Sequence, residues 1–150
     1  MIPWLLAVMA VTLAMPSCSK EKAQITVHYS MSNSSGFDLR LQSSGMSAFD
    51  LPDGATKDFT DVTEGVDYNG SCSFATVFNE GASITVSYEG EEYRYDAWKG
   101  YRRYFLDAIN YNVHKDAPRE YTLRYNFESY EIMEYLQFLG VQVDGLLYGE

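Results

Sequence analysis

The chain has 150 residues, of which 21 are acidic and 11 are Lys or Arg, so its formal net charge is −10 at pH 7. This charge argues against nucleic-acid binding, which needs clustered Lys and Arg to contact phosphates. An apolar fraction of 46 % argues against a disordered chain and predicts one folded domain with its own hydrophobic core.

The N-terminal segment begins with an uncharged apolar run from Leu5 to Met15, and the sequence Pro-Ser-Cys that follows ends at Cys18. The run is shorter than the roughly 20 residues that a membrane-spanning helix needs, but it has the length of the apolar centre of a secretory signal. The segment resembles the signal of a bacterial lipoprotein of the Bacteroides-like kind, in which a Cys is diacylated and becomes the mature N-terminus. The Ser-Lys-Glu stretch at 19–21 is similar to the short Lys-plus-acidic stretch that often follows that Cys.

The resemblance implies that residues 1–17 are removed, that Cys18 carries the lipid, and that residues 18–24 tether a single domain at residues 25–150. It implies a protein of the cell envelope, held by its lipid at the periplasmic or surface face of the outer membrane. The alternative is a soluble secreted protein in which Cys18 and Cys72 form a disulfide. If Cys18 carries a lipid, Cys72 is expected to be a small buried apolar residue.

Short alternating runs between turn residues predict strands along most of the mature chain. Residues 25–30 alternate apolar and polar side chains and place His28 on the polar face; residues 37–41 alternate again, so the two runs predict a hairpin. Further strands are predicted at residues 71–77, 83–88, 92–95 and 120–127. The regular spacing of the turns predicts a mainly β fold, an antiparallel immunoglobulin-like β-sandwich with one or two short helices.

Two segments have helical spacing instead. Asp96 is predicted to cap a helix that places Phe105 and Ile109 on one face, together with Trp98 and Tyr101. A second helix is predicted from Ser129 to a stop at Gly140, with Ile132, Met133, Leu136 and Leu139 turned inward. The tail at 141–147 predicts a small hairpin around its Asp-Gly pair.

Common catalytic motifs, such as Gly-x-Ser-x-Gly and His-Glu-x-x-His, do not occur in the sequence. A Cys72 nucleophile would need His28 or His114 as its base, and the sequence gives no reason for them to meet. One set of carboxylates could present oxygens to calcium and a second could supply a glycosidase pair, and in both cases solvated loop carboxylates are the simpler interpretation. The two sets are Asp50, Asp53, Asp58, Asp61, Glu64 and Asp67, and Glu89, Glu91, Glu92 and Asp96. We therefore expect no enzyme activity, metal or cofactor.

One basic cluster in this acidic chain is interleaved with aromatic residues. Rings stack on sugars and Arg pairs with carboxylate or sulfate, so the cluster predicts a noncatalytic binding or accessory module for a glycan or peptide. If the first helix forms, however, its rings belong to the core and its cations face water. The candidate binding residues are Tyr93, Tyr95, Trp98, Lys99, Arg102 and Arg103.

An alternative function is that of a structural subunit in a surface or pilus-like assembly that forms through strand pairing. The apolar tail from Leu136 to Tyr148 supports this alternative, because a C-terminal hairpin can pair within one chain or between chains.

Overall fold

The structure, a computed structural model, describes residues 23–68, 71–73, 76–97, 99 and 104–143. Most of this part of the chain is β-strand. Two 3-10 turns lie at Tyr104–Leu106 and Ala108–Asn110. The strands and the helix are β1 (Ala23–Ser34), β2 (Asp38–Ser43), β3 (Met46–Leu51), β4 (Thr56–Tyr68), β5 (Ser71–Ser73), β6 (Ser83–Tyr88), β7 (Glu91–Asp96), β8 (Asn112–Ala117), β9 (Glu120–Glu128) and α1 (Ser129–Phe138).

The strands form two sheets. Sheet A has five strands in the order β5-β4-β1-β9-β8, and sheet B has four in the order β3-β2-β6-β7. Neighbouring strands are antiparallel except β1 and β9, which are parallel. β1 and β9 therefore lie inside sheet A, with hydrogen-bonded neighbours on both sides.

The core lies between the two sheets, because both turn alternate apolar side chains inward. From sheet A, β1 and β9 contribute Ile25, Val27, Tyr29, Met31, Tyr121, Leu123, Tyr125 and Phe127. From sheet B, β2 and β6 contribute Leu39, Leu41, Ile84 and Val86. These side chains belong to one hydrophobic cluster, so the predicted mainly β, sandwich-like arrangement is confirmed.

The predicted hairpin of residues 25–30 and 37–41 is wrong, because its two strands belong to different sheets. The chain changes sheet around Asn33, a buried residue at the end of β1. Its Nδ2 donates to the carbonyl oxygens of Phe37 at 2.7 Å and Leu51 at 2.8 Å, and its Oδ1 accepts from the backbone N–H of Ser35 at 3.0 Å. The chain does turn between the two predicted strands, but the turn leads it to the other sheet instead of folding it back beside β1.

The helix predicted to follow Asp96 is wrong over its described part, because residues 104–110 do not form an α-helix; Asp96 itself ends β7 and pairs with Ser83 of β6. The described residues farther along form only the two 3-10 turns. Phe105 is buried as predicted, but Ile109 is 89 % exposed, so the two side chains do not share a core face. Residues 98 and 101 of this prediction lie outside the described residues.

The second predicted helix is confirmed as α1. Ile132 and Leu136 are fully buried, whereas Leu139 is 38 % exposed. Gly140 follows in the left-handed region with φ of +79°, and the N–H of Val141 donates to the carbonyl of Leu136 at 2.9 Å. This geometry ends the helix just before Gly140, in agreement with the stop predicted at that glycine.

The predicted strands at residues 83–88, 92–95 and 120–127 correspond to β6, β7 and β9. Of the strand predicted at 71–77, residues 71–73 are β5, residues 76–77 are not strand, and the two residues between lie outside the described residues. Strands β3, β4 and β8 were not predicted. In β4, Asp58, Asp61 and Glu64 obscure any apolar alternation, yet a continuous antiparallel ladder pairs this strand with β1. Of the predicted tail hairpin, residues 141–143 are not strand, and the remainder lies outside the described residues.

Candidate functional site

The outer face of sheet A carries rows of polar side chains that cross its strands. Residues paired in register project on the same face of a sheet, so each row runs from one strand to the next. The first row is Thr60, His28, Thr122 and His114; the second is Asp58, Ser30, Arg124 and Asn112; the third is Thr56, Ser32 and Asn126. These residues alternate along β1 and β9 with the buried core residues, so they lie on the opposite face of the sheet.

Two adjoining open depressions lie over these rows, and we call them together the outer groove. The larger, of about 730 Å³, is lined by Ser30, Ser32, Tyr104, Asn110, Asn112, Arg124, Tyr125, Asn126, Glu128 and Tyr130. The smaller, of about 370 Å³, is lined by His28, Tyr29, Ser30, Asp58, Phe59, Thr60, Thr122 and Arg124. Ser30 and Arg124 line both depressions, so they lie where the two meet.

Aromatic side chains come to the larger depression from the 3-10 turns and the start of α1. Tyr130 is 58 % exposed and presents its ring to solvent. Tyr104 is held in place, since its hydroxyl donates to Glu134 Oε2 at 3.0 Å and its carbonyl accepts from Asn110 Nδ2 at 2.9 Å. The depression therefore combines a fixed ring, a solvent-facing ring and polar side chains.

Several polar groups in the outer groove keep hydrogen-bonding capacity for a ligand. Asn126 donates from Nδ2 to Ser34 Oγ at 2.7 Å, which leaves its Oδ1 as an acceptor. Arg124 is exposed and takes part in none of the ion pairs found among the described residues. The groove thus offers amide, hydroxyl and guanidinium groups beside exposed ring surface.

A buried carboxyl group lies behind the larger depression. Glu131 is 2 % exposed, and its Oε1 accepts hydrogen bonds from the hydroxyls of Tyr125, at 2.8 Å, and Tyr135. Burial raises the pKa of Glu131 to about 7, although the two tyrosine hydroxyls act in the opposite direction. Tyr125 also lines the groove, so it connects this buried carboxyl group to the site through a direct hydrogen bond.

The residues of the predicted binding cluster are not brought together on a surface in the described part of the chain. Tyr95 is wrong as a ligand contact, because it is 1 % exposed and stacks on Tyr135 in the core at a centroid distance of 4.2 Å. Tyr93 is half-buried against the core. Lys99 is exposed, with its Nζ 3.7 Å from Asp96 Oδ2. Trp98, Arg102 and Arg103 lie outside the described residues, as does Cys18.

His28 lies on the polar face of β1, as predicted. Its Nε2 donates to Glu120 Oε1 at 2.8 Å and its Nδ1 shares a hydrogen bond with the Thr60 hydroxyl at 3.0 Å, so it is a satisfied sheet residue. Two of the acidic residues named as possible calcium ligands have protein partners: Asp50 pairs with Arg40 at 2.9 Å, and Asp53 accepts from the backbone N–H of Gly36 at 2.8 Å. Within the described ranges, no three His, Cys, Asp or Glu side chains are grouped as a metal site would require.

One feature of the sequence, the alternation of β9, does indicate the outer groove. Alternation in β9 already places Thr122, Arg124 and Asn126 on the face opposite the core. The partners of this face on β1 and β8 come from pairings far apart in sequence, and periodicity alone does not reveal them.

No family model matches this chain, and no curated protein or solved structure is significantly similar to it. Among the residues described, no helix has the length and apolar character needed to cross a bilayer.

Proposed function

We propose that this protein is a noncatalytic carbohydrate-binding module of the cell envelope that binds its glycan in the outer groove. The observation that carries the proposal is the pair of adjoining depressions, which share Ser30 and Arg124 and are bordered by the exposed ring of Tyr130. Hydroxyl and amide groups match the hydroxyls of a sugar, and a tyrosine ring can stack on its apolar face.

The location is a further part of the proposal. The resemblance of the first residues to a lipoprotein signal supports a lipid on Cys18 and attachment to the outer membrane. The immunoglobulin-like kind of sandwich is likewise proposed, and the antiparallel pairing that dominates both sheets supports it.

A glycan fits the outer groove better than an extended peptide does. A peptide that binds by strand addition needs the free backbone groups of an edge strand. Around Ser30 and Arg124 the floor of the groove is formed by β1 and β9, and there the backbone of each strand is paired on both sides within sheet A; residues 125–128 of β9 extend past the ladder with β8. At this part of the floor only side chains are offered to a ligand, and those of Ser30, Ser32 and Arg124 are polar.

The positions of the groove carboxylates support binding without hydrolysis. Glu128 lines the larger depression and Asp58 the smaller. Their positions in the strand register place them on the order of 15 Å apart, from strand spacing and rise per residue. Glycoside hydrolysis by a carboxylate pair uses separations of up to about 9.5 Å.

Binding of full-length protein in detergent to an array of neutral, uronic-acid-containing and sulfated oligosaccharides tests the proposal. We expect Tyr130→Ala to weaken binding by about threefold to tenfold, because an aromatic stacking contact contributes about 0.5–1.5 kcal/mol. Phe138→Ala is the matched control, since Phe138 is on the same helix and is 60 % exposed. Unchanged binding by Tyr130→Ala, or no glycan bound by the folded protein, would contradict the proposal.

A further inference from the structure

Arg124 is the cation at the junction of the two depressions. It lies on the interior strand β9, paired in register with Ser30 of β1 and Asn112 of β8. Its nearest neighbours across the strands are therefore a hydroxyl and an amide, which carry no charge. Among the described residues that line the outer groove, Arg124 is the only Lys or Arg.

The groove carboxylates lie too far along the face to neutralise Arg124. Asp58 is on β4, two strands away, which places it about 10 Å from Arg124 by the strand spacing. Glu128 is four residues farther along β9, about 13 Å away by the rise per residue. Neither forms an ion pair with Arg124, in agreement with these separations.

An exposed guanidinium among neutral hydrogen-bonding groups is suited to a ligand that brings one negative charge. The planar fork of Arg matches the two oxygens of a carboxylate and can hold them with parallel hydrogen bonds. Hydroxyl and amide side chains on either side can then hydrogen-bond the hydroxyls of the same sugar. The acidic residues at the ends of the groove disfavour a ligand with charge at every position.

Resting on the proposed glycan-binding function, we infer that the outer groove selects a glycan carrying a uronic-acid carboxylate, which pairs with Arg124. Arg124 is then the specificity-determining residue, and Ser30 and Asn112 support the same sugar. Neutral sugars fill the remainder of the groove through hydrogen bonds and contact with Tyr130.

The test compares an oligosaccharide that carries a single uronic acid, glucuronic acid linked to xylotriose, with its methyl ester, which has the same sugar hydroxyls but no charge. Titration calorimetry with full-length protein in detergent is expected to show the acid binding about tenfold to hundredfold more tightly than the ester, the usual range for a hydrogen-bonded charged pair. Arg124→Gln is expected to bind both probes with the weak affinity of the ester.

Arg94→Gln is the matched control, because Arg94 is an exposed arginine on β7 of sheet B, away from the outer groove. This variant should keep the preference for the acid, and circular dichroism should show all variants folded. Equal binding of acid and ester by the unmodified protein overturns the inference but leaves glycan binding intact. A preference for a sulfated oligosaccharide over the uronate overturns it in the same way, whereas the absence of any bound glycan overturns the proposed function as well.

Discussion

Glu131 is a carboxyl group within a core made mostly of aromatic and aliphatic side chains. A buried carboxylate is costly unless hydrogen bonds compensate for the lost water, and here two tyrosine hydroxyls donate to it. Burial and the adjacent Glu131 raise the pKa of Tyr125 and of Tyr135 well above the usual range, so both hydroxyls remain protonated donors. Glu131 itself is the group that titrates.

The protonation of Glu131 makes a specific contribution to the pH dependence of stability. Its pKa is about 7 in the folded protein, against 4.5 for the free side chain, so between these values the folded state holds a proton that the unfolded state has released. Stability from this group is therefore fully present below about pH 4.5 and is lost as the pH rises to 7. The loss is on the order of 3 kcal/mol.

We expect Glu131→Gln to remove this dependence, because glutamine keeps the acceptor oxygen but does not ionise. Urea denaturation at pH 4.5 and pH 8 should show the variant gaining about 3 kcal/mol relative to the unmodified protein at the higher pH. Glu92→Gln, at an exposed carboxylate on β7, should show no such gain. Parallel stability curves for Glu131→Gln and the unmodified protein would contradict the assignment.

At the scale of elements, β1 organises the domain. It pairs with β4 on one side and β9 on the other, its inward side chains are core, and its outward side chains form the floor of the outer groove. At its end, Asn33 is 1 % exposed and hydrogen-bonds Phe37, the residue before β2, and Leu51, the last residue of β3. This one amide therefore fixes the point where the chain leaves sheet A for sheet B.

Asn33→Ala should destabilise the protein strongly, because it removes the amide that donates to the carbonyls of Phe37 and Leu51 and accepts from the N–H of Ser35, and its bond to Leu51 is buried. We expect a loss of about 2–4 kcal/mol in the free energy of unfolding, measured by urea denaturation. Asn112→Ala, at an exposed asparagine on β8, should change it by less than about 0.5 kcal/mol. Similar losses for the two variants would show that Asn33 does not secure the junction between the sheets.

At the scale of the whole molecule, we propose a β-sandwich that is tethered by a short lipidated N-terminus and binds its ligand on the outer surface of sheet A. The net charge of −10 does not oppose an anionic ligand at the groove, since exposed charges farther than about 10 Å away are largely screened at 0.1 M salt. The local guanidinium of Arg124 then determines the sign of the charge that is selected.

The anchor itself is testable by intact-mass spectrometry of protein purified from its native membrane. We expect a chain that begins at Cys18 and carries added acyl mass, and a Cys18→Ala form that carries none, because the thiol is the acylated group. A mature chain without acyl mass would contradict the anchor. In that case a mass deficit of about 2 Da would indicate the alternative disulfide between Cys18 and Cys72.

The sequence by itself determined those features that depend on local periodicity and local backbone conformation. Alternation placed Val27 in the core and His28 on the polar face, and helical spacing with a final glycine defined α1 up to Gly140. These inferences succeed because neighbouring residues alone decide which face a side chain takes and where a helix ends.

Only the tertiary structure decided which strands pair and what their outer faces bring together. Periodicity shows which face of a strand a residue takes, but it does not show which strand is the neighbour. For this reason the hairpin of residues 25–30 and 37–41 was predicted wrongly, and β4 was not predicted as the partner of β1. Arg124 meets Ser30 because β1 and β9, separated by most of the domain in sequence, lie side by side. Glu131 likewise becomes a titrating core group only when α1 packs on β9 and closes Tyr125 over its carboxyl.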